Sequence, residues 1–263
     1  MNRFYYCLFI FIILTSGCSI LPVTEGRRDF NKAATLYREG DCEKASLKFT
    51  EALNKDPALR EGYVYLAECS LKKGDYITAL LQAEQATAAA AGDAGIRARL
   101  KTIFSAGGRS ALDNRDYDAA IRFFRDAAAL DQKDGSLHLW LGKALLARAN
   151  KGDMKAALSE FKTVMSTSAS PAQDLALVRS ALFAQAEQYS AQKDMYAQSR
   201  CYLAYTENFN QDDVEACINL GKLFSRMGNP VGALYYAKKA YALDPKNKAA
   251  IELINDLNSP IHP

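Results

Sequence analysis

The chain has 263 residues, 49% of them hydrophobic and 24% charged, a balance that fits a folded body and excludes extended disorder. A formal charge of +3, with no Lys/Arg stripe interleaved with aromatics, argues against a nucleic-acid partner. Ala is abundant, while Pro and Gly gather at intervals, as close helix packing with periodic turns requires.

The first segment differs in kind from the rest. Arg3 precedes an apolar run from Phe4 to Leu14, interrupted only by the hydroxyls of Tyr5 and Tyr6, and small residues then lead to Cys18. The run is shorter than the roughly 20 residues a helix needs to cross a bilayer, so residues 1–17 read as a secretory signal. Leu14-Thr15-Ser16-Gly17-Cys18 resembles a bacterial lipobox, with Thr15 standing where that family prefers Leu. The resemblance implies that Cys18 is lipidated, palmitate among its acyl chains, and becomes the first mature residue. Ser19, in place of Asp, implies an outer-membrane anchor facing the periplasm. The alternatives are an ordinary signal peptide cut nearby and an uncleaved short anchor. Residues 18–28, with Pro22 and Gly26, read as a tether.

From there a helical hairpin recurs about every 34 residues, a solenoid period. The clearest copy, 214–247, sets Leu220-Gly221, Phe224, Gly228, Ala233, Ala237, Ala240 and Pro245 in the order helix, turn, helix, stop. Repeats near 26–59, 60–93, 94–134, 135–168 and 172–211 precede it, and an amphipathic segment at 248–257 caps the row. The third first-helix is expected to start early near Ala94 and run long. Gly107-Gly108 within it marks a place for a bend or local opening. The fourth first-helix is expected to be extended, because its turn at Gly152-Asp153 arrives late. The fifth copy departs most from the pattern and also reads as an irregular hairpin.

This pattern resembles the tetratricopeptide repeat family over residues 29–257. The resemblance implies an all-α, right-handed superhelical solenoid of about six helical hairpins with a C-terminal capping helix. Small residues mark helix crossings, and larger apolar ones fill the gaps between hairpins.

Cys42, Cys69, Cys201 and Cys217 are spaced too far apart for a compact zinc or iron–sulfur site. Neighbouring helices run antiparallel, so facing positions sum to a near-constant repeat number. That rule sets Cys42 opposite Cys69 and Cys201 opposite Cys217, as two disulfide candidates for an oxidising periplasm. The alternative is four small buried hydrophobes.

No catalytic, cofactor or metal constellation emerges. His138 and His262 are far apart, no nucleophile elbow appears, and Gly107-Gly108 lacks the lysine and the strand of a phosphate loop. The chain is therefore expected not to be an enzyme, and to need no metal. Function is expected on the inner face of the first helices, where an envelope protein or peptide would lie. Repeat numbering places there Tyr37, Arg38, Glu68, Lys72, Arg109, Lys143, Tyr189, Lys222 and Arg226. Phe30, Val64, Ser105, Leu112, Leu139, Leu146, Leu182, Ala186 and Ile218 join them. Some tetratricopeptide domains clamp a terminal carboxylate with Lys and Asn, but here Phe30 and Ala34 hold the first of those positions. Similarity to outer-membrane tetratricopeptide lipoproteins, pilotins among them, implies a tethered adaptor for secretion, pilus or outer-membrane assembly. The rival readings are a scaffold recruiting peptidoglycan hydrolases or synthases and, more remotely, an enzyme.

Overall fold

A computed structural model of the protein describes residues 24–259. The expected signal, Cys18, Ser19 and His262 lie outside the described residues.

Among the described residues the structure is all-α. Twelve helices form six hairpins and a thirteenth closes the C-terminal end, the right-handed tetratricopeptide-like class that the repeats predict. The first helix, α1 (Glu25–Arg38), begins at Glu25, so residues 25–28 belong to it and not to a tether. It pairs with α2 (Cys42–Lys55).

One turn design recurs. Asp41, Asp75, Asp116 and Asp194 each cap the second helix of a hairpin by accepting the backbone N–H three residues on. Asn229 does the same for the last hairpin. The residue just before each cap is left-handed: Gly40, Gly74, Arg115, Lys193 and Gly228, with φ between 60 and 88°. Glycine takes that conformation freely; Arg115 and Lys193 take it against the preference of an L residue.

The chain divides into two compact units, meeting in sequence at Leu59 and Arg60. In the first, Phe30 and Phe49 meet edge to face, their ring centroids 5.2 Å apart. Ala33, Ala45 and Ala52 are fully buried between the helices, and Lys55 donates to Asp29 at 2.7 Å.

The second unit holds α3 (Gly62–Lys72), α4 (Tyr76–Ala86), α5 (Ala94–Asp113), α6 (Tyr117–Leu130), α7 (Gly135–Arg148) and α8 (Asp153–Thr167). It continues with α9 (Pro171–Ala191), α10 (Met195–Asn208), α11 (Val214–Arg226), α12 (Pro230–Leu243) and α13 (Lys248–Asn258). A continuous core runs from Val64 to Leu223, with Phe104, Phe123, Phe124, Phe161 and Tyr205 among its fully buried side chains. A smaller cluster of Cys217, Ile218, Ala240 and Ala250 lies under α13.

One local expectation holds and two change. The run 87–91 is a short 3-10 turn after α4, and α5 begins at Ala94 as its length predicts. Gly107 and Gly108 do not open α5, which is helical throughout, because the rings of Phe123 and Phe124 occupy the space their side chains would need. The fourth hairpin absorbs its extra residues in the loop. Ala149, left-handed at φ 58°, ends α7, and Gly152 at φ 95° starts α8. Asp153 holds that loop shut: it accepts two hydrogen bonds from Arg148, at 2.8 and 2.9 Å, and one from the amide of Asn150 at 2.8 Å.

Candidate partner-binding site

The first helices α5, α7 and α9 converge on a hollow of about 380 Å³. Leu112 and Asp113 of α5 form one wall, Trp140, Lys143 and Leu146 of α7 the floor, and Ala184, Gln185 and Gln188 of α9 the other wall. Arg115 reaches it from the turn before α6.

Trp140 is the fixed element. Its ring stacks on that of Phe124 at 6.0 Å, nearly parallel, which sets the indole against the core while leaving it half-buried. Lys143 lies one turn further along α7, with Nζ 4.7 Å from the centre of the Trp140 ring. Burial pushes the Lys143 ammonium below its ordinary pKa. No carboxylate pairs with it among the described residues. The site therefore offers an aromatic face, a partly desolvated cation and amide side chains within reach of one another. That combination recognises a carboxylate beside an apolar group.

The other expected groove residues fall in different places. Tyr37 is half-buried and Arg38 exposed on α1, where the Arg38 Nε donates to the carbonyl of Ala34. Glu68 is engaged by Arg99, which donates to both carboxylate oxygens at 2.9 and 2.7 Å and stacks over Tyr65. Lys72 ends α3, Arg109 is exposed on α5, and Lys222 and Arg226 are exposed on α11. Tyr189 does not share the Lys143 hollow; it lines a different one, with Met154, Ala197 and Arg200. Val64, Leu139, Leu182 and Ala186 are core residues, not groove residues. The structure thus brings together Leu112, Lys143 and Leu146 from the expected set and adds Trp140, Ala184, Gln185 and Gln188.

Cys201 and Cys217 are buried free thiols, so the second expected disulfide is absent. They face different packing clusters, Cys201 the long core and Cys217 the cluster under α13. Neither Cys42 nor Cys69 is a free thiol; each is in the disulfide-bonded state. His138 is satisfied by Glu160 at 2.7 Å and by the carbonyl of Gln132 at 3.1 Å. No group of three or more metal-ligating side chains gathers among the described residues. No described helix is long and apolar enough to cross a membrane.

A family model described as tetratricopeptide repeat matches residues 106–169, which span the last two turns of α5 through α8. No curated protein matches the chain. Among solved structures, the chain is similar to YrrB, described as a TPR protein with an unusual peptide-binding site, at 18% identity and a TM-score of 0.40. That alignment covers 87% of this chain and 91% of YrrB. It is similar also to PilW, described as a type IV pilus biogenesis factor, at 16% identity and a TM-score of 0.34, over 87% of this chain and 98% of PilW. Pseudomonas aeruginosa PilF aligns at 14% identity with a TM-score of 0.33, over 88% of this chain and 97% of PilF.

Proposed function

We propose that the protein is a non-enzymatic, membrane-tethered adaptor whose first-helix hollow captures a segment of another envelope protein. In this reading it aids assembly of a secretion, pilus or outer-membrane complex. The observation that carries the reading is Lys143: a half-buried cation on an aromatic face, between three successive first helices, which forms no ion pair among the described residues although Asp113 lines the same hollow. A partly desolvated cation with no ion pair favours a ligand of opposite charge. The repeat match supports the same reading, since residues 106–169 include the α5 and α7 sides of the hollow. Tethering rests on Gly17-Cys18 and the apolar run before them.

The test is affinity capture from solubilised envelopes with partner identification by mass spectrometry. It compares the wild type with Lys143→Glu, Ala184→Arg and Cys18→Ala. Secretin, pilus or barrel-assembly subunits, lost in the two hollow variants while helicity is kept, support the proposal. Recovery of peptidoglycan hydrolases or synthases favours the rival scaffold. Capture untouched by either hollow variant moves the site elsewhere.

A further inference from the structure

A second groove lies on the second-helix side of the stack, between α8 and α10. It consists of two adjoining hollows of about 360 and 430 Å³ that share Met154, Lys155 and Arg200. Its floor is apolar, built from Leu146, Met154 and Leu158. Its rim is basic: Lys151, Lys155, Lys162 and Arg200 are all exposed, and no Asp or Glu lines either hollow.

Local acids do not neutralise this rim. Asp153 is held by Arg148, Glu160 by His138, and Asp194 caps α10. None of the four rim cations forms an ion pair among the described residues. The spacing along α8 is itself a pattern. Met154 and Leu158 stand four residues apart, and Lys155 and Lys162 seven apart, so the apolar and basic rows run side by side. The loop of the fourth hairpin frames the open end, with Ala149, Asn150 and Gly152 on its lip.

We propose that this groove is a separate docking surface for an acidic amphipathic segment of a partner protein, with carboxylates on the rim and apolar side chains on the floor. Charge complementarity selects the acidic partner. The recessed floor selects a protruding peptide segment: a flat bilayer would meet the rim charges and leave Met154 and Leu158 uncovered, and a free phosphate would use no apolar floor.

The probe is a fluorescein-labelled helical peptide of Glu, Leu and Ala, with one Glu-rich face and one Leu face, titrated by anisotropy against the full chain. Saturable binding is expected, weakening by about tenfold or more in Lys155→Glu/Arg200→Glu and in added salt. Met154→Lys is expected to weaken it while keeping the rim charge, and Lys238→Glu on α12 to leave it unchanged. The proposal is overturned by a lack of saturable binding, by equal affinity in the double variant, or by an equal loss in Lys238→Glu. Binding of phosphatidylglycerol vesicles that needs Lys155 and Arg200, without binding of the peptide, overturns it in favour of a lipid surface.

Discussion

The ring of Phe161 fills the space that a side chain on Gly142 would occupy, so α7 and α8 cross as closely as backbone and an aromatic ring permit. The same device repeats in the preceding hairpin, where a Cβ on Gly108 would lie 2.7 Å from Phe124 Cζ. Phe161 and Phe124 are both fully buried and cannot swing into solvent. Gly142→Ala is therefore expected to lower stability by about 1–3 kcal/mol, the usual range for overpacking a core. Urea denaturation followed by circular dichroism checks this, and an unchanged midpoint would contradict it.

Arg179 links the fifth hairpin to the sixth. It donates to Asp213 at 2.7 Å and to Glu215 at 2.6 Å, and its guanidinium sits 4.0 Å from the centre of the Phe183 ring. Asp213 at the same time caps α11. Because Arg179 and Glu215 are partly solvated, Arg179→Ala is expected to cost only about 1–2 kcal/mol. Hydrogen exchange is expected to rise first in the opening turn of α11.

Acid acts on the fourth hairpin. The hydrogen bonds from Arg148 hold the Asp153 carboxyl below the usual carboxylate range, against the desolvation that would raise it. A carboxyl with a depressed folded value stabilises the fold above its unfolded value, near pH 4, and that contribution is lost as pH falls through the lower folded value. Asp153→Asn is thus expected to be less stable than wild type at pH 7 and to show a flatter stability profile below about pH 4. Parallel profiles for the two proteins would contradict it.

Much of this architecture was legible in the sequence because it depends on short, local signals. Gly74-Asp75 encodes a left-handed residue followed by a cap, and Ala33, Ala45 and Ala52 mark crossings where nothing larger fits. The face of α9 that lines the hollow was not legible. That helix has no glycine at its crossing, so repeat numbering selected Leu182 and Ala186, which the core uses, in place of Ala184, Gln185 and Gln188. Trp140 was passed over although it lies one turn before Lys143, and that spacing was the available signal. Half of the basic groove is written in α8 as Lys155 and Lys162 beside Met154 and Leu158. Its other wall comes from Arg200, which only the stacking of α10 brings near.

The cysteines divide by state. Burial pushes the Cys201 thiol up to about 12 and raises that of Cys217 as well, so both are expected to be inert in the folded protein. Alkylation under native conditions is expected to leave Cys201 and Cys217 unmodified. Denaturation without reductant exposes those two, and Cys42 and Cys69 react only after reduction. Peptide mass mapping distinguishes the three steps.

The central claim is that partners meet the chain at the hollow formed by α5, α7 and α9. The most direct measurement is a photo-crosslinking amino acid placed at Ala184 in cells that make the protein, with a second placed at Leu81 on the exposed side of α4. A crosslink from Ala184 to one envelope protein is expected, lost when Lys143 is changed to Glu, with none of that product from Leu81. A crosslink to that partner from Leu81 alone, or one from Ala184 indifferent to Lys143→Glu, would contradict it.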